Sequence, residues 1–528
     1  MSLSFQNAVR RVVPRWNNLN AALFSGELDP SDLVATPKKA TSDFVLLKEA
    51  QWAQDGGLFF ALDLINSASV LGGGGEQTRK AAEYVLSSRE STSAAKKIAA
   101  RLLGVEYGTG HVLPIMDRRG LIKENKIRRL AEPRNAFVWI ELARLYVLNG
   151  MVEQALKPVE IALALAPSNR FVVRCAARYF LHANKASRAL DLVRRTPATL
   201  TDPWLIAAEI AISSVQEKKP KFAAQAKSFI ENKAVNPFHT SEAASALASL
   251  EMWSGNDKRA RKIFLESLAS PTENSLAQAI WASTEVDLSA FQLSSIQLDN
   301  AFEAGALEAK NKGDWQLAVK NCAIWAENEA YSSRPYGMAS AIYSSLLGEP
   351  KKAEELIRFG LLTNPGHPGL LNNIAFAMAE QGNAKGAQVE LSKVDLNLAN
   401  DQAKACLVAT SGLVEYRLGN AALGREMYEK TILFSSKMSW FELKATAQMY
   451  LAREEARLGN EGYTEIFEKG YAFLKVSDDV FLVALAAKIK KDIEEFGARN
   501  LMTRGRQADG RSRKADGVRR QARFDPGR

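Results

Sequence analysis

Between Ala136 and Asn169 the apolar positions recur at helical rather than strand spacing. Trp139, Leu142 and Tyr146 fall at i, i+3 and i+7, one face of a helix. Gly150 then interrupts the pattern, supplying a left-handed residue at no steric cost, and a second apolar series runs to Ala162. Pro167 ends it, having no amide to continue a helix. Ala143 and Ala155 are small where two such helices would cross closely. The pattern predicts an antiparallel helix pair. Comparable spacing predicts helices at 42–54, 57–70, 77–88 and 93–103, and a closing helix over 479–496 that begins apolar and ends rich in Lys and Glu.

The pair is repeated. From Arg170 a second copy places Ala177, Phe180 and Ala189 at matching positions, with Asn184 standing 34 residues after Gly150. Further copies carry Leu247, Ala248, Gly255, Ala260 and Phe264, then Ala341, Gly348, Ala353 and Pro365, then Ile374, Ala375, Gly382 and Ala387. Weaker copies surround Gly313, Gly419 and Gly459. The unit Ala136–Asn169 resembles the tetratricopeptide repeat: counting from Ala136, Trp139, Leu142, Ala143, Tyr146, Gly150, Ala155, Ala162 and Pro167 occupy the family's positions 4, 7, 8, 11, 15, 20, 27 and 32 in its 34-residue pattern. The resemblance implies an all-α fold, a right-handed α-solenoid of antiparallel helix pairs. Each repeat would contact its neighbours and the core would lengthen with the chain. The expected organisation is a helical region at 1–135, a repeat array at 136–478, a capping helix at 479–497 and a tail at 498–528.

Such repeats bind partners on the face made by their first helices, and the family's groove positions fall here on Glu141, Arg144, Arg174, Arg178 and His182, and on Asn372 and Asn373. Arg174 and Arg178, one turn apart, resemble half of the carboxylate clamp of some family members, with Ile140 and Arg144 in place of its asparagines. The arginines are expected to be exposed and to meet an acidic protein segment or a phosphate backbone, or to be solvated surface. Asn372 and Asn373 suit recognition of an extended peptide backbone, since an amide donates and accepts at once, or simple helix-surface polarity.

Charge changes the picture at one end only. The chain has 528 residues and a net charge of +10, and its last thirty residues hold ten basic and three acidic side chains. Arg504, Arg506, Arg511, Arg513, Lys514, Arg519, Arg520 and Arg523 make this a basic tail, poor in apolar residues and expected to be disordered. It reads as a solvated tail, a sequence-independent contact for nucleic acid, or a contact for an acidic partner.

Catalytic constellations are not found. There is no HExxH, GxSxG or paired CxxC, and the four glycines at 72–75 lead into Glu-Gln-Thr-Arg rather than Lys-Ser/Thr. Arg178 and His182 have three residues between them, where the helical HEPN ribonucleases have four to six. Cys175, Cys322 and Cys406 lie far apart and inside helical patterns, so buried thiols and a reducing compartment are expected. The first twenty residues lack a signal-peptide apolar run, and no run reaches the length of a membrane span. The sequence therefore implies a cytoplasmic, non-catalytic scaffold or adaptor without metal or cofactor, holding a peptide or domain of a protein partner. The alternative is a nucleic-acid-associated adaptor using the tail and an arginine-lined groove.

Overall fold

The computed structural model describes residues 10–16, 42–71, 75–88, 90–91, 93–105, 115–232, 235–288, 296, 298, 301–329, 331–460 and 462–498. Among them every regular element is a helix, and the fold is an all-α array of antiparallel helix pairs. The chain divides into two compact units: Ala8–Glu308 with Lys320–Pro335, and Met1–Asn7, Ala309–Val319 and Tyr336–Arg528.

The first of these opens with α1 (Ser42–Asp55), α2 (Gly57–Leu71), α3 (Glu76–Ser87) and α4 (Ser93–Leu103), which share a core of Leu64, Ile65, Ala81 and Val85. Next come α5 (Ile115–Ala131), α6 (Ala136–Leu148), α7 (Val152–Leu165), α8 (Arg170–His182) and α9 (Ala186–Arg195). In α6, Leu142 and Ala143 are fully buried against Ala155, Val159 and Ala162 of α7, while Trp139 and Tyr146 pack on the edge of the same core. Gly150 closes that turn at φ 73°, and Asn184 takes the equivalent left-handed position at φ 56°. Asparagine tolerates this conformation where most L-residues do not. The series continues through α10 (Pro203–Val215), α11 (Ala223–Glu231), α12 (Pro237–Trp253), α13 (Asp257–Ser267) and α14 (Glu273–Ala282). Helices α15 (Phe302–Asn311) and α16 (Trp315–Asn328) each have residues in both units.

The other unit takes α17 (Arg334–Ile342) from Tyr336 onward, then a π-turn at Tyr343–Leu347, α18 (Pro350–Thr363), α19 (Pro368–Glu380) and α20 (Ala384–Ser392). It then lengthens into α21 (Asp401–Leu418), α22 (Ala421–Lys437), α23 (Phe441–Leu458) and α24 (Tyr463–Leu474). Ala353 is fully buried, as its crossing position requires. Longer helices cross on glycine: a Cβ on Gly424 would lie 2.8 Å from the Gly412 carbonyl oxygen, so the α21 and α22 backbones touch there. The last helix, α25 at 480–498, buries Phe481, Leu482, Leu485, Ile489 and Ile493 and exposes Lys490, Lys491 and Glu494. That one-sided pattern suits the end of an array.

No helix among the described residues is long and apolar enough to cross a membrane. Cys175, Cys322 and Cys406 are buried thiols that form no disulfide. The residues of the basic tail lie outside the described part of the chain, as do His111 and Gly72–Gly74.

Candidate functional site

The groove residues chosen from the repeat pattern are drawn inward. Arg174 is 2% exposed, and its guanidinium meets Glu242 of α12 at 3.1 Å while lying 4.7 Å over the Trp204 ring. The expectation of an exposed arginine pair therefore fails at Arg174. A carboxylate 68 residues away neutralises the charge, and the stem is packed between α8, α10 and α12. Arg144 is buried too, and forms a two-pronged bond to Glu141 at 2.6 and 2.9 Å. Arg178 is half-buried with its guanidinium 4.9 Å over the Tyr331 ring, and the His182 ring stands edge-on to the same tyrosine. An arginine-lined basic groove is thus not what these side chains make: two of the three are matched by carboxylates of the same unit.

Asn372 and Asn373 are also buried. Asn373 donates to the Ser340 hydroxyl at 3.1 Å and, more weakly, to the Gly337 carbonyl, which ties α19 to α17. Asn372 donates to Asn373. The Asn373 amide serves a helix–helix contact rather than presenting a polar face to a groove.

A different set of residues makes the site. Arg10 to Trp16, a non-helical stretch, lies across the first helices of successive pairs in its own unit. Side chains reach its backbone directly. Gln278 of α14 donates to the Arg10 carbonyl at 3.1 Å, Asn274 donates to the Val13 carbonyl at 3.0 Å, and the Trp16 amide donates to the Tyr331 hydroxyl at 2.7 Å. Pro14 favours an extended conformation at Val13, which keeps such a stretch from coiling into helix.

The side chains of the stretch are captured equally closely. Arg10 donates to Glu303 of α15 at 2.8 and 3.0 Å, to Gln278 at 2.7 Å and to Asn274 at 2.9 Å. Arg15 bonds the same Glu303 and meets Glu329 at 3.0 Å and Glu273 at 3.1 Å. Trp16 is fully buried between Tyr179 and Tyr331, with ring centroids 6.2 and 6.0 Å away. Val12 is buried beside a small apolar recess that it lines together with Ile210, Ala211, Ala246 and Leu250. Arg11 lies over Trp253 and donates to Ser214.

Glu303 is the hub. Burial would raise its carboxyl, but Arg10, Arg334 and Arg15 together hold it well below the usual carboxylate range. Arg334 is pushed down to about 10, by burial above all and by the neighbouring Arg10 and Arg15, against the pull of Glu303. Burial also drives the Tyr331 hydroxyl upward, so it stays protonated and remains a neutral hydrogen-bonding group. The arrangement holds two guanidiniums, two backbone carbonyls and a backbone amide of the same chain. No three His, Cys, Asp or Glu side chains among the described residues are placed to hold a metal ion.

Sequence reasoning missed this site. The signal available was the composition of Arg10–Trp16 itself, two apolar residues and a proline between arginines, with a tryptophan at the end.

No family model matches the chain, and no curated protein matches it either. Among solved structures it is similar to chains in the crystal structure of the APC/C hetero-tetramer Cut9-Hcn1, at 13% identity and a TM-score of 0.35 over 84% of this chain and 92% of that one. It is also similar to yeast Tom70, at 12% identity and a TM-score of 0.33 over 87% of this chain and 96% of that one.

Proposed function

We propose that this protein is a non-catalytic, cytoplasmic interaction scaffold of the tetratricopeptide-repeat kind, which holds a non-helical segment of a protein partner against the first helices of the unit formed by Ala8–Glu308 and Lys320–Pro335. The observation that carries this reading is the row of side-chain amides and a phenol, Asn274, Gln278 and Tyr331, aimed at peptide backbone. Such contacts bind a chain largely irrespective of its sequence, and the flanking pockets select side chains.

The experiment is selection of peptides from a random display library on the full-length protein, followed by hydrogen-exchange footprinting of the enriched peptides. Protection should fall on α12, α14 and α15. Enrichment of nothing, or protection confined to second helices such as α13, refutes the reading.

A further inference from the structure

We infer that Arg10–Trp16 is an exchangeable occupant of this site, and that the partner which replaces it presents a basic, non-helical segment of the form Arg-x-x-x-x-Arg-aromatic. The inference rests on the peptide-holding function proposed above and specifies the ligand.

Three observations point this way. The stretch packs as a ligand does: its backbone is held by side chains of distant helices. Its hydrogen-bond partners lie 203 to 315 positions away, and the Tyr179 ring that meets Trp16 lies 163 positions away. Second, the receiving surface has charge of its own. Glu273, Glu303 and Glu329 gather around the two guanidiniums, and Arg334 of the helical body also meets Glu303. A site so biased toward anions favours a cationic occupant whichever chain supplies it. Third, the contacts divide into recurring specificity elements. Arg10 and Arg15 share one carboxylate, which fixes their spacing, and Trp16 enters an aromatic slot between Tyr179 and Tyr331.

A tethered occupant suppresses binding of a free competitor, because its local concentration exceeds that of peptide in solution. The resident stretch therefore keeps the site closed to weak ligands and opens it to a partner that carries the same side chains together with contacts elsewhere.

The test uses the full chain carrying Arg10→Ala and Arg15→Ala, and a fluorescent synthetic peptide of residues 8–18, AVRRVVPRWNN. Binding is read by anisotropy, and helix content by circular dichroism. The variant should keep its helical signal and bind the peptide at least about tenfold more tightly than the unaltered chain does. The peptide should also slow amide exchange in α14 and α15. A second peptide, with glutamate in place of both arginines, should not bind.

Absence of binding to a folded variant would make the stretch a fixed strap and overturn the inference. Loss of the helical signal would do the same, by showing that residues 10–16 belong to the core. Equal binding of both peptides would leave a peptide-holding groove standing and remove the basic specificity claimed here.

Discussion

Replacing Glu303 with glutamine is the sharpest probe of the buried charge cluster. The substitution keeps the shape and one acceptor oxygen but removes the charge that three guanidiniums converge on. Arg10, Arg15 and Arg334 would then share a site facing a neutral amide, with Arg10 and Arg15 only 4% and 6% exposed to water. Breaking a buried ion pair by removing one partner costs about 3–5 kcal/mol, because the remaining charge stays desolvated. Here Glu273 and Glu329 still meet Arg15, which places the loss toward the lower end. At no more than about 2–4 °C per kcal/mol for a unit of this size, a loss near the lower end should bring the melting temperature down by roughly 6–12 °C. Because stability in a repeat array is carried between neighbours, hydrogen exchange should quicken in α14, α15 and residues 10–16 first, with α21 to α24 little changed. A variant that melts within about 2 °C of the parent, with unaltered exchange in α14 and α15, would refute the assignment of Glu303 as hub.

Three other outcomes follow from the same structure. Arg174→Ala leaves Glu242 buried without its cation and should cost about 3–5 kcal/mol, measured by urea unfolding; a neutral result would mean that Arg174 is the surface residue its sequence position suggested. Gly360→Ala puts a Cβ 2.7 Å from the Tyr336 ring and should cost about 1–3 kcal/mol through overpacking, seen as faster exchange in α17 and α18; an unchanged midpoint would show that Tyr336 moves aside freely. The carboxyl of Glu303 titrates below its unfolded value, so the stability it confers is present above about pH 4.3 and drains away as pH falls toward its folded value. The melting temperature of the parent should therefore drop more steeply on acidification than that of Glu303→Gln, and parallel curves would exclude the linkage.

Local chemistry was legible in the sequence and long-range charge was not. The turn at Gly150, its asparagine substitute at Asn184 and the small residues at Ala143, Ala155 and Ala353 all report contacts within one repeat or its neighbour, so their spacing carries the information. Helix periodicity identified the positions of Arg174 and Asn373 on their helices but not what they would touch. Arg174 finds Glu242 two helix pairs onward, and Asn373 finds Ser340 on the preceding pair. A residue at a groove position is exposed only if the next repeats leave it uncovered, and that depends on side chains far along the chain. The Arg10–Trp16 stretch has no period at all. Its meaning lies in Glu303, which is 293 positions away.

That separation has a consequence for the order of events as the chain is made. Helix pairs form from local contacts within microseconds to milliseconds, so each pair can settle soon after it leaves the ribosome. The clasp between Arg10 and Glu303 cannot: at ~5–20 residues per second, the 293 intervening positions take roughly 15–60 s to synthesise. When Glu303 finally emerges, Arg10 is already waiting on the same molecule, while any outside partner must arrive by diffusion. The resident stretch therefore wins the first encounter in every newly made copy. A partner gains the site later, by turnover, and the rate at which residues 10–16 let go sets the fastest pace at which the protein can respond.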